Sequence, residues 1–248
     1  MFLIRRLPML LLCGAFLGPS MALHAEEPAA AGIVFVVGGV GGLDPIQACA
    51  PWTLPKVGVP HRIEVFEWTH GKCRVLRDLQ DSRYLLTQAE RLAAIVRNVQ
   101  AHEPGRPIYL LAHSAGVGVA LAAAEKLPPA SLERIVVLSA AVSPTYDLRG
   151  ALRATRHEIV SFNSTYDRLC LDFCTNMFGT VDRVYGPAAG LDGFRMPADF
   201  DEEGQQLYQR LVQVPWHLEM CLKCTDGSHH GPCMPTFLAQ MVAPWLRP

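Results

Sequence analysis

The residue types needed for nucleophilic catalysis occur in three separate polar segments of this chain. Ser114 lies in the segment AHSAG, Asp167 ends the segment NSTYD, and His229 and His230 lie in the segment DGSHHG. A serine hydroxyl is a poor nucleophile, so it needs a histidine to take its proton and a carboxylate to orient that histidine. The three segments therefore predict attack by a serine on an acyl carbonyl.

Each of these groups also has a purely structural interpretation. Ser114 would cap the start of a helix, and Asp167 would stabilise a turn. Asp147, which follows the preceding predicted strand, is the second candidate for the acid, and Asp172 is the third. We favour the catalytic interpretation with Asp167 as the acid.

Ser114 is predicted to lie in a sharp turn between a strand and a helix. Residues 108–111 form a short apolar run typical of a buried parallel strand. An alanine-rich stretch with helical periodicity then continues to about Lys126 and ends at a Pro-Pro pair. Small residues surround Ser114, where bulky side chains would collide in such a turn.

A glycine-rich loop follows an earlier strand. Residues 33–37 are fully apolar and lead directly into 38–42, which read GGVGG. Glycines let the main chain approach a substrate oxygen without an intervening side chain. A dinucleotide-binding loop is the competing interpretation, but the pattern GxGxxG is not met, and an Asp-Pro pair follows where that motif requires a helix.

The strand, turn and helix around Ser114 resemble the nucleophile elbow of the α/β-hydrolases, written Gly-x-Ser-x-Gly. The resemblance implies that Ser114 is the nucleophile, Asp167 the acid and His230 the base. It also implies an oxyanion hole made by the backbone N–H groups of Val40 and Ala115.

The sequence departs from the family pattern at two positions. Ala112 replaces the first glycine of the elbow, and Gly38 replaces the histidine that often begins the oxyanion loop. The distance to the last predicted helix favours His230 as the base, with His229 as the alternative base and Asp147 as the alternative acid. The resemblance also implies that His113, inside the elbow, points away from the nucleophile.

The order of predicted elements is that of an α/β fold with a doubly wound, mostly parallel sheet and helices on both faces. Further strands are predicted at 62–68, 134–142, 157–162 and 214–220, with amphipathic helices at 84–99 and 235–246. The stretch 43–60 is predicted to be a surface loop, and 170–212 a partial lid or a long surface excursion. Because 143–156 is too short to hold an insertion, we expect a minimal core without a large cap domain.

The composition excludes some classes of partner. The formal net charge of the 248 residues is −1, and no basic run occurs, so we expect no nucleic acid. We expect no cofactor and no resident metal, and a small-molecule or lipid ester as the substrate. The oligomeric state cannot be inferred from the sequence.

The first 25 residues are predicted to be a signal peptide, followed by one hydrolase domain over 26–248. Arg5 and Arg6 precede an apolar stretch that is broken by proline and glycine, and small residues occur near Ala25. We therefore expect an exported protein, periplasmic or secreted, with no stable membrane span after cleavage.

Seven cysteines remain after removal of the leader: Cys49, Cys73, Cys170, Cys174, Cys221, Cys224 and Cys233. In an oxidising compartment they favour one or two disulfides, which would join the loops carrying the acid and the histidine. The spacing of Cys221, Cys224 and Cys233 around the histidine pair also resembles half of a zinc site, which is the alternative.

The sequence thus predicts an esterase- or lipase-like serine hydrolase that works through an acyl-enzyme. A catalytically inactive hydrolase fold used for binding is one alternative. Acyl transfer by the same three residues is another.

Overall fold

Six strands form one parallel sheet in the computed structural model, which describes residues 31–199, 201–223 and 225–247. The order across the sheet is β2-β1-β3-β4-β5-β6, and all five neighbouring pairs are parallel. The strands are β1 Ile33–Val37, β2 Arg62–Val65, β3 Ile108–His113, β4 Arg134–Leu138, β5 Ile159–Asn163 and β6 Leu211–Pro215. The predicted doubly wound sheet is confirmed.

Helices cover both faces of this sheet. They are α1 Pro45–Thr53, α2 Val75–Gln80, α3 Ser82–His102, α4 Gly116–Ala124, α5 Arg149–Ala154, α6 Thr175–Phe178, α7 Ala189–Asp192, α8 Glu202–Tyr208 and α9 Pro235–Phe237. Two π-helical segments, Leu169–Cys174 and Leu238–Val242, directly precede α6 and follow α9. Among the described helices, none is both long and apolar enough to cross a membrane.

The alternation of side chains along the strands divides the core into two layers. Ile33, Phe35 and Val37 of β1 face α3 and α4, while Val34 and Val36 face α1 and the C-terminal helical segments. Every residue of α4 is buried, so the alanine-rich composition reflects close packing of this helix on the sheet. The connection from β4 to β5 holds only α5, which leaves no cap at that point.

Three parts of the fold differ from the sequence prediction. The stretch predicted as a surface loop contains α1, which begins at Pro45. Asp44 caps this helix, because its side chain accepts a hydrogen bond from the Ile46 N–H at 3.0 Å. The last strand is β6, earlier than predicted, and Leu218–Lys223 is a 3₁₀ segment. The stretch 170–212, predicted to be a partial lid or a long surface excursion, contains α6, α7, α8 and the start of β6. These elements were not predicted because short helical segments leave little periodic signal.

Candidate active site

Ser114 occupies a strained turn at the carboxyl end of β3. Its φ is +53°, in the left-handed region that residues with a side chain rarely adopt. The turn is fixed on both sides: the Ser114 N–H donates to the carbonyl of Leu138 at 3.0 Å, and the Ser114 carbonyl accepts from the N–H of Ala141 at 3.1 Å. This geometry is that of the predicted elbow, and it presents the Ser114 hydroxyl above the sheet edge.

The hydroxyl of Ser114 is bonded to a histidine that is bonded in turn to a carboxylate. His229 Nε2 lies 2.8 Å from Ser114 Oγ, and His229 Nδ1 lies 2.6 Å from Asp167 Oδ2. Asp167 is buried at the turn after β5, and His229 lies on the loop before α9. Nδ1–H donates to the carboxylate, which leaves the Nε2 lone pair to accept the serine proton. The structure therefore joins Ser114, His229 and Asp167.

The preference for His230 over His229 is corrected by this geometry. The His230 ring lines the same cavity but forms no hydrogen bond with Ser114, and its centroid lies 5.1 Å from that of His229 and 5.4 Å from that of His113. Its pKa is lowered, first by burial and then by its two histidine neighbours. Counting back from the helix gave the wrong register because a 3₁₀ turn, Gly231–Cys233, precedes α9.

The two alternative acids are engaged elsewhere. Asp147 forms a surface ion pair with Arg149 at 2.7 Å, and its side chain is 47% exposed. Asp172 lies 3.6 Å from Arg168 within the helical segment. Neither contacts His229, so Asp167 is the acid that the fold brings to the histidine.

The predicted oxyanion loop is held in place by two buried carboxylates. The N–H of Gly39 donates to Asp44 Oδ2 at 2.6 Å, and the N–H of Gly41 donates to Asp78 Oδ2 at 2.8 Å. Val40 lies between these two anchors. In the described part of the chain, no hydrogen bond uses the N–H of Val40 or that of Ala115. Both predicted donors are therefore free to bind a substrate oxygen.

Asp78 was missed by the sequence analysis. It is 2% exposed and lies in α2, a short helix with no clear amphipathic pattern. Its second oxygen accepts the backbone N–H of His70 at 2.8 Å, and the His70 ring lies 2.9 Å away. In the sequence Asp78 is a single aspartate among surface-type residues, and nothing in its neighbours predicts that it holds the backbone of the oxyanion loop.

A cavity of about 470 Å³ opens beside Ser114 and His229. Its apolar walls include Leu79, Ala141, Leu171 and Val181, and the thiols of Cys73, Cys170 and Cys174 also line it. No lysine or arginine of the described chain lines this cavity. Its chemistry suits an uncharged, apolar group.

A second histidine–aspartate pair lies behind the first. His113 Nδ1 is 2.5 Å from Asp44 Oδ2, with the two side chains 0% and 3% exposed. His113 Nε2 lies 2.9 Å from the carbonyl oxygen of His229, to which Ser139 Oγ also donates at 3.2 Å. As expected, His113 points away from Ser114.

The charge state of this buried pair follows from its surroundings. Burial alone would lower the pKa of His113, but the adjacent Cys233 and the Asp44 carboxylate together raise it well above its usual value. Burial would likewise raise the pKa of Asp44, but His113 and two backbone N–H groups lower it. Cys233 also contacts the pair, and burial raises the pKa of its thiol, so it is uncharged at neutral pH.

The cysteines do not form the predicted disulfide among the described residues. Cys49, Cys73, Cys170, Cys174, Cys221 and Cys233 are free thiols, whereas Cys224 lies outside the described residues. The expected link between the acid and histidine loops fails because Cys221 is exposed, Cys170 faces the cavity and Cys233 is buried beside Asp44. The predicted signal peptide also lies outside the described residues.

Two groups of side chains have the spacing of metal ligands. In the first, ligand atoms of Asp44, His113, His230 and Cys233 all lie within 4.8 Å of one another. The hydrogen bonds of His113 already engage both of its ring nitrogens, so a metal ion there would have to displace one of them. The second group comprises Asp167, Cys170 and His229, where the carboxylate and the imidazole are bonded to each other.

This protein resembles known proteins in its structure rather than in its sequence. No protein-family model matches the sequence, and no curated protein matches it either. A predicted hydrolase from Thermoplasma acidophilum is 11% identical, with a TM-score of 0.50 over 89% of this chain and 88% of that one. An α/β serine hydrolase without a lid from Xanthomonas campestris is 14% identical, with a TM-score of 0.47 over 89% and 84%.

Polyneuridine aldehyde esterase is 22% identical, with a TM-score of 0.35; that match covers 47% of this chain and 44% of the esterase, less than half of either.

Three observations identify the fold: the parallel sheet, the elbow at the end of β3 and the likeness to the structure from Thermoplasma acidophilum. The chain has the α/β-hydrolase fold.

Proposed function

We propose that this protein is a serine hydrolase that cleaves carboxylic esters. The observation that carries the proposal is the continuous chain of hydrogen bonds from Ser114 Oγ through the His229 ring to Asp167, at 2.8 and 2.6 Å. The Ser114 end of this series of hydrogen bonds opens into an apolar cavity. A hydroxyl, an imidazole and a buried carboxylate in this order form the arrangement that activates a serine.

In the proposed reaction, Ser114 Oγ attacks the ester carbonyl while His229 Nε2 takes the hydroxyl proton. Asp167 keeps Nδ1 protonated and stabilises the imidazolium that forms. His229 then gives the proton to the departing alkoxide, and the alcohol leaves an acyl group on Ser114. Water attacks this acyl-enzyme, His229 takes its proton and returns it to Ser114, and the carboxylic acid is released.

The oxyanion that forms in both steps would be bound by the N–H groups of Val40 and Ala115. Such donors are preorganised, because anchors on both sides of Val40 fix its peptide before substrate arrives. One donor of this kind is worth about 3 kcal/mol of transition-state stabilisation.

The substrate class follows from the walls of the cavity. A carboxylate or phosphate on the bound group would find no cationic side chain there among the described residues, and burial without a partner is costly. We propose an uncharged small-molecule or lipid ester with an apolar acyl group. The triad serves acyl transfer equally well if an alcohol replaces water.

Turnover of p-nitrophenyl butyrate and octanoate tests the proposal. The wild-type protein should hydrolyse both esters and be labelled by a fluorophosphonate, and Ser114→Ala should lose both properties. The variant Ser143→Ala, which changes a buried serine outside the triad, is the matched control. Retained turnover in Ser114→Ala would refute the mechanism, and absence of labelling in the folded wild-type protein would favour the binding-protein alternative.

We also propose that the chain acts after export, on the basis of its first 25 residues alone. Expression of the full chain in a Gram-negative host, followed by fractionation and N-terminal sequencing, tests this. A mature N-terminus near residue 26 in the periplasm is expected, and an intact Met1 in the cytoplasm would contradict it.

A further inference from the structure

We propose that Asp44 and His113 form a buried ion pair that positions the catalytic groups by holding both the His229 loop and the oxyanion loop against the nucleophile elbow. The inference rests on the proposed function of Ser114, His229 and Asp167. It assigns Asp44 and His113 as positioning residues, since neither touches the reacting atoms.

Asp44 is the centre of the network on the side of the oxyanion loop. Its Oδ2 accepts hydrogen bonds from the Gly39 N–H at 2.6 Å and from His113 at 2.5 Å, and its Oδ1 accepts from the Ile46 N–H at 3.0 Å. The next residue is Val40, whose backbone N–H forms no hydrogen bond with any described residue. Asp44 therefore sets the position of that donor.

His113 is the centre on the side of the catalytic histidine. A carbonyl oxygen only accepts, so the ring nitrogen 2.9 Å from the His229 carbonyl must carry a proton. The other nitrogen faces an ionised carboxylate and must carry a proton as well. His113 is therefore a doubly protonated imidazolium, which agrees with its raised pKa.

The neighbours of this imidazolium are few. Asp44 supplies the negative charge, the Cys233 thiol is uncharged, and the rings of His229 and His230 lie 4.9 and 5.4 Å from its own ring centroid. Asp44 is thus the carboxylate that balances the positive charge, and the Cys233 side chain beside the pair also favours the charged form of His113. Removing that carboxylate would leave an unpaired buried cation or force His113 to lose a proton.

The placement of the pair explains why it matters for catalysis. His113 is covalently next to Ser114, so one ion pair fixes the nucleophile, the backbone of its base and the oxyanion loop relative to one another. A misplacement of about 1 Å at such a site costs on the order of 100-fold in rate. Ser139 Oγ is a second donor to the His229 carbonyl, but it is uncharged and its bond is longer, at 3.2 Å.

Two substitutions of His113 separate its two bonds. An asparagine amide reaches about as far as Nδ1 and keeps a donor toward Asp44, whereas a glutamine amide reaches about as far as Nε2 and keeps a donor toward the His229 carbonyl. We expect Asp44→Asn and His113→Asn to lower kcat by about 100-fold with KM nearly unchanged. His113→Gln should be about tenfold faster than His113→Asn, because it restores one hydrogen bond to the catalytic loop.

Cys49→Ala is the local control, because it removes a half-buried free thiol from α1, close to Asp44 in the chain, that forms no hydrogen bond with any described residue. It should keep the wild-type kcat. Thermal unfolding shows whether each variant is folded. Fluorophosphonate titration gives the concentration of reactive serine, so that kcat is calculated per active site. Equal kcat in wild type, Asp44→Asn and His113→Asn would overturn the proposal, as would His113→Asn exceeding His113→Gln.

A spectroscopic measurement tests the pair without turnover. Proton NMR of Ser114→Ala at neutral pH should show the exchange-protected imidazole N–H signals of the site, and two of them should disappear in the double variant Ser114→Ala/His113→Asn. The loss of only one signal would show a neutral His113 and would overturn the ion pair. If the wild-type protein has no esterase activity, the proposed function fails, and this spectrum still decides whether the pair exists.

Discussion

Gly116 lies so close to the carbonyl of Gly38 that a Cβ built on Gly116 would be 2.3 Å from that oxygen, and 2.6 Å from the carbonyl oxygen of Val37. The start of α4 and the start of the oxyanion loop are therefore in direct backbone contact. Only glycine permits this approach, and the approach brings the N–H of Ala115 toward the loop that carries Val40.

Gly116→Ala should disrupt both stability and activity. Since the obstructing atoms are backbone oxygens, the loop must move, and we expect a loss of about 3 kcal/mol in unfolding free energy and of most of the turnover. Urea unfolding and ester hydrolysis measure the two effects.

Gly150→Ala is the matched control for that experiment. The atoms nearest to its added Cβ are Cγ and Cβ of Glu125, at 2.8 and 3.3 Å, so the added methyl group requires a shift of one side chain and not of a loop. We expect activity close to that of wild type. A Gly116→Ala protein that is as stable and active as Gly150→Ala would contradict the close approach.

The two neighbouring histidines should differ sharply in their effect on catalysis. His229→Gln removes the base that is bonded to Ser114 and should lower kcat by about 10⁴-fold or more. His230→Gln changes a ring with no bond to Ser114 and should leave kcat nearly unchanged. Steady-state kinetics of the two variants side by side provide the measurement, and a larger loss in His230→Gln would restore the sequence-based preference.

The difficulty with this histidine pair shows where sequence reasoning reached its limit. The segment that carries the histidine bonded to Ser114 could be predicted, because a polar turn before the last helix is a local pattern. The 3₁₀ turn Gly231–Cys233 separates the pair from α9, so the direction of each ring does not follow from counting residues back from that helix. Adjacent residues point in different directions, so a shift of one position in the counting selects the wrong ring.

The sheet was predictable for a different reason. β1, β3, β4 and β5 are almost wholly buried on both faces, so apolar residues predominate in each of them. α1 was missed because its prolines and glycine neighbours imitate a loop, although Pro45 sits at a position that helices accept. Asp78 and the Asp44–His113 pair could not be found because their roles exist only once distant segments are packed together.

The length of the acyl chain should be limited by Val181. This buried side chain lines the cavity. Each added methylene that the cavity buries is worth about 0.8 kcal/mol, so kcat/KM should rise about fourfold per methylene until the cavity is full. Val181→Trp should shift the optimum toward shorter acyl groups.

A p-nitrophenyl ester series from acetate to decanoate measures that optimum. Val184→Trp is the control, because Val184 is 44% exposed and does not line the cavity. Its chain-length profile should match wild type. An unchanged profile in Val181→Trp would mean that the acyl group binds elsewhere.

The Asp44–His113 pair also predicts a pH window for stability. Asp44 has a lowered pKa in the folded state, so its contribution is present above its unfolded pKa of about 3.9 and is lost as the pH falls through the folded value. His113 has a raised folded pKa, so its contribution is complete below about 6.5 and is lost as the pH rises toward the folded value. The pair should therefore stabilise the fold most between about pH 4 and 6.5.

Urea unfolding of wild type and Asp44→Asn under reducing conditions tests this window. The difference in unfolding free energy should be greatest near pH 5.5 and should fall above pH 6.5 by up to about 1.4 kcal/mol per pH unit, because the folded protein then binds a proton that the unfolded chain releases. Asp147→Asn, which breaks an exposed pair with Arg149, should cost less than about 1 kcal/mol at every pH above 5. A difference between wild type and Asp44→Asn that stays constant from pH 5.5 to 9 would show that Asp44 does not raise the pKa of His113, and hence that the two side chains do not form an ion pair at neutral pH.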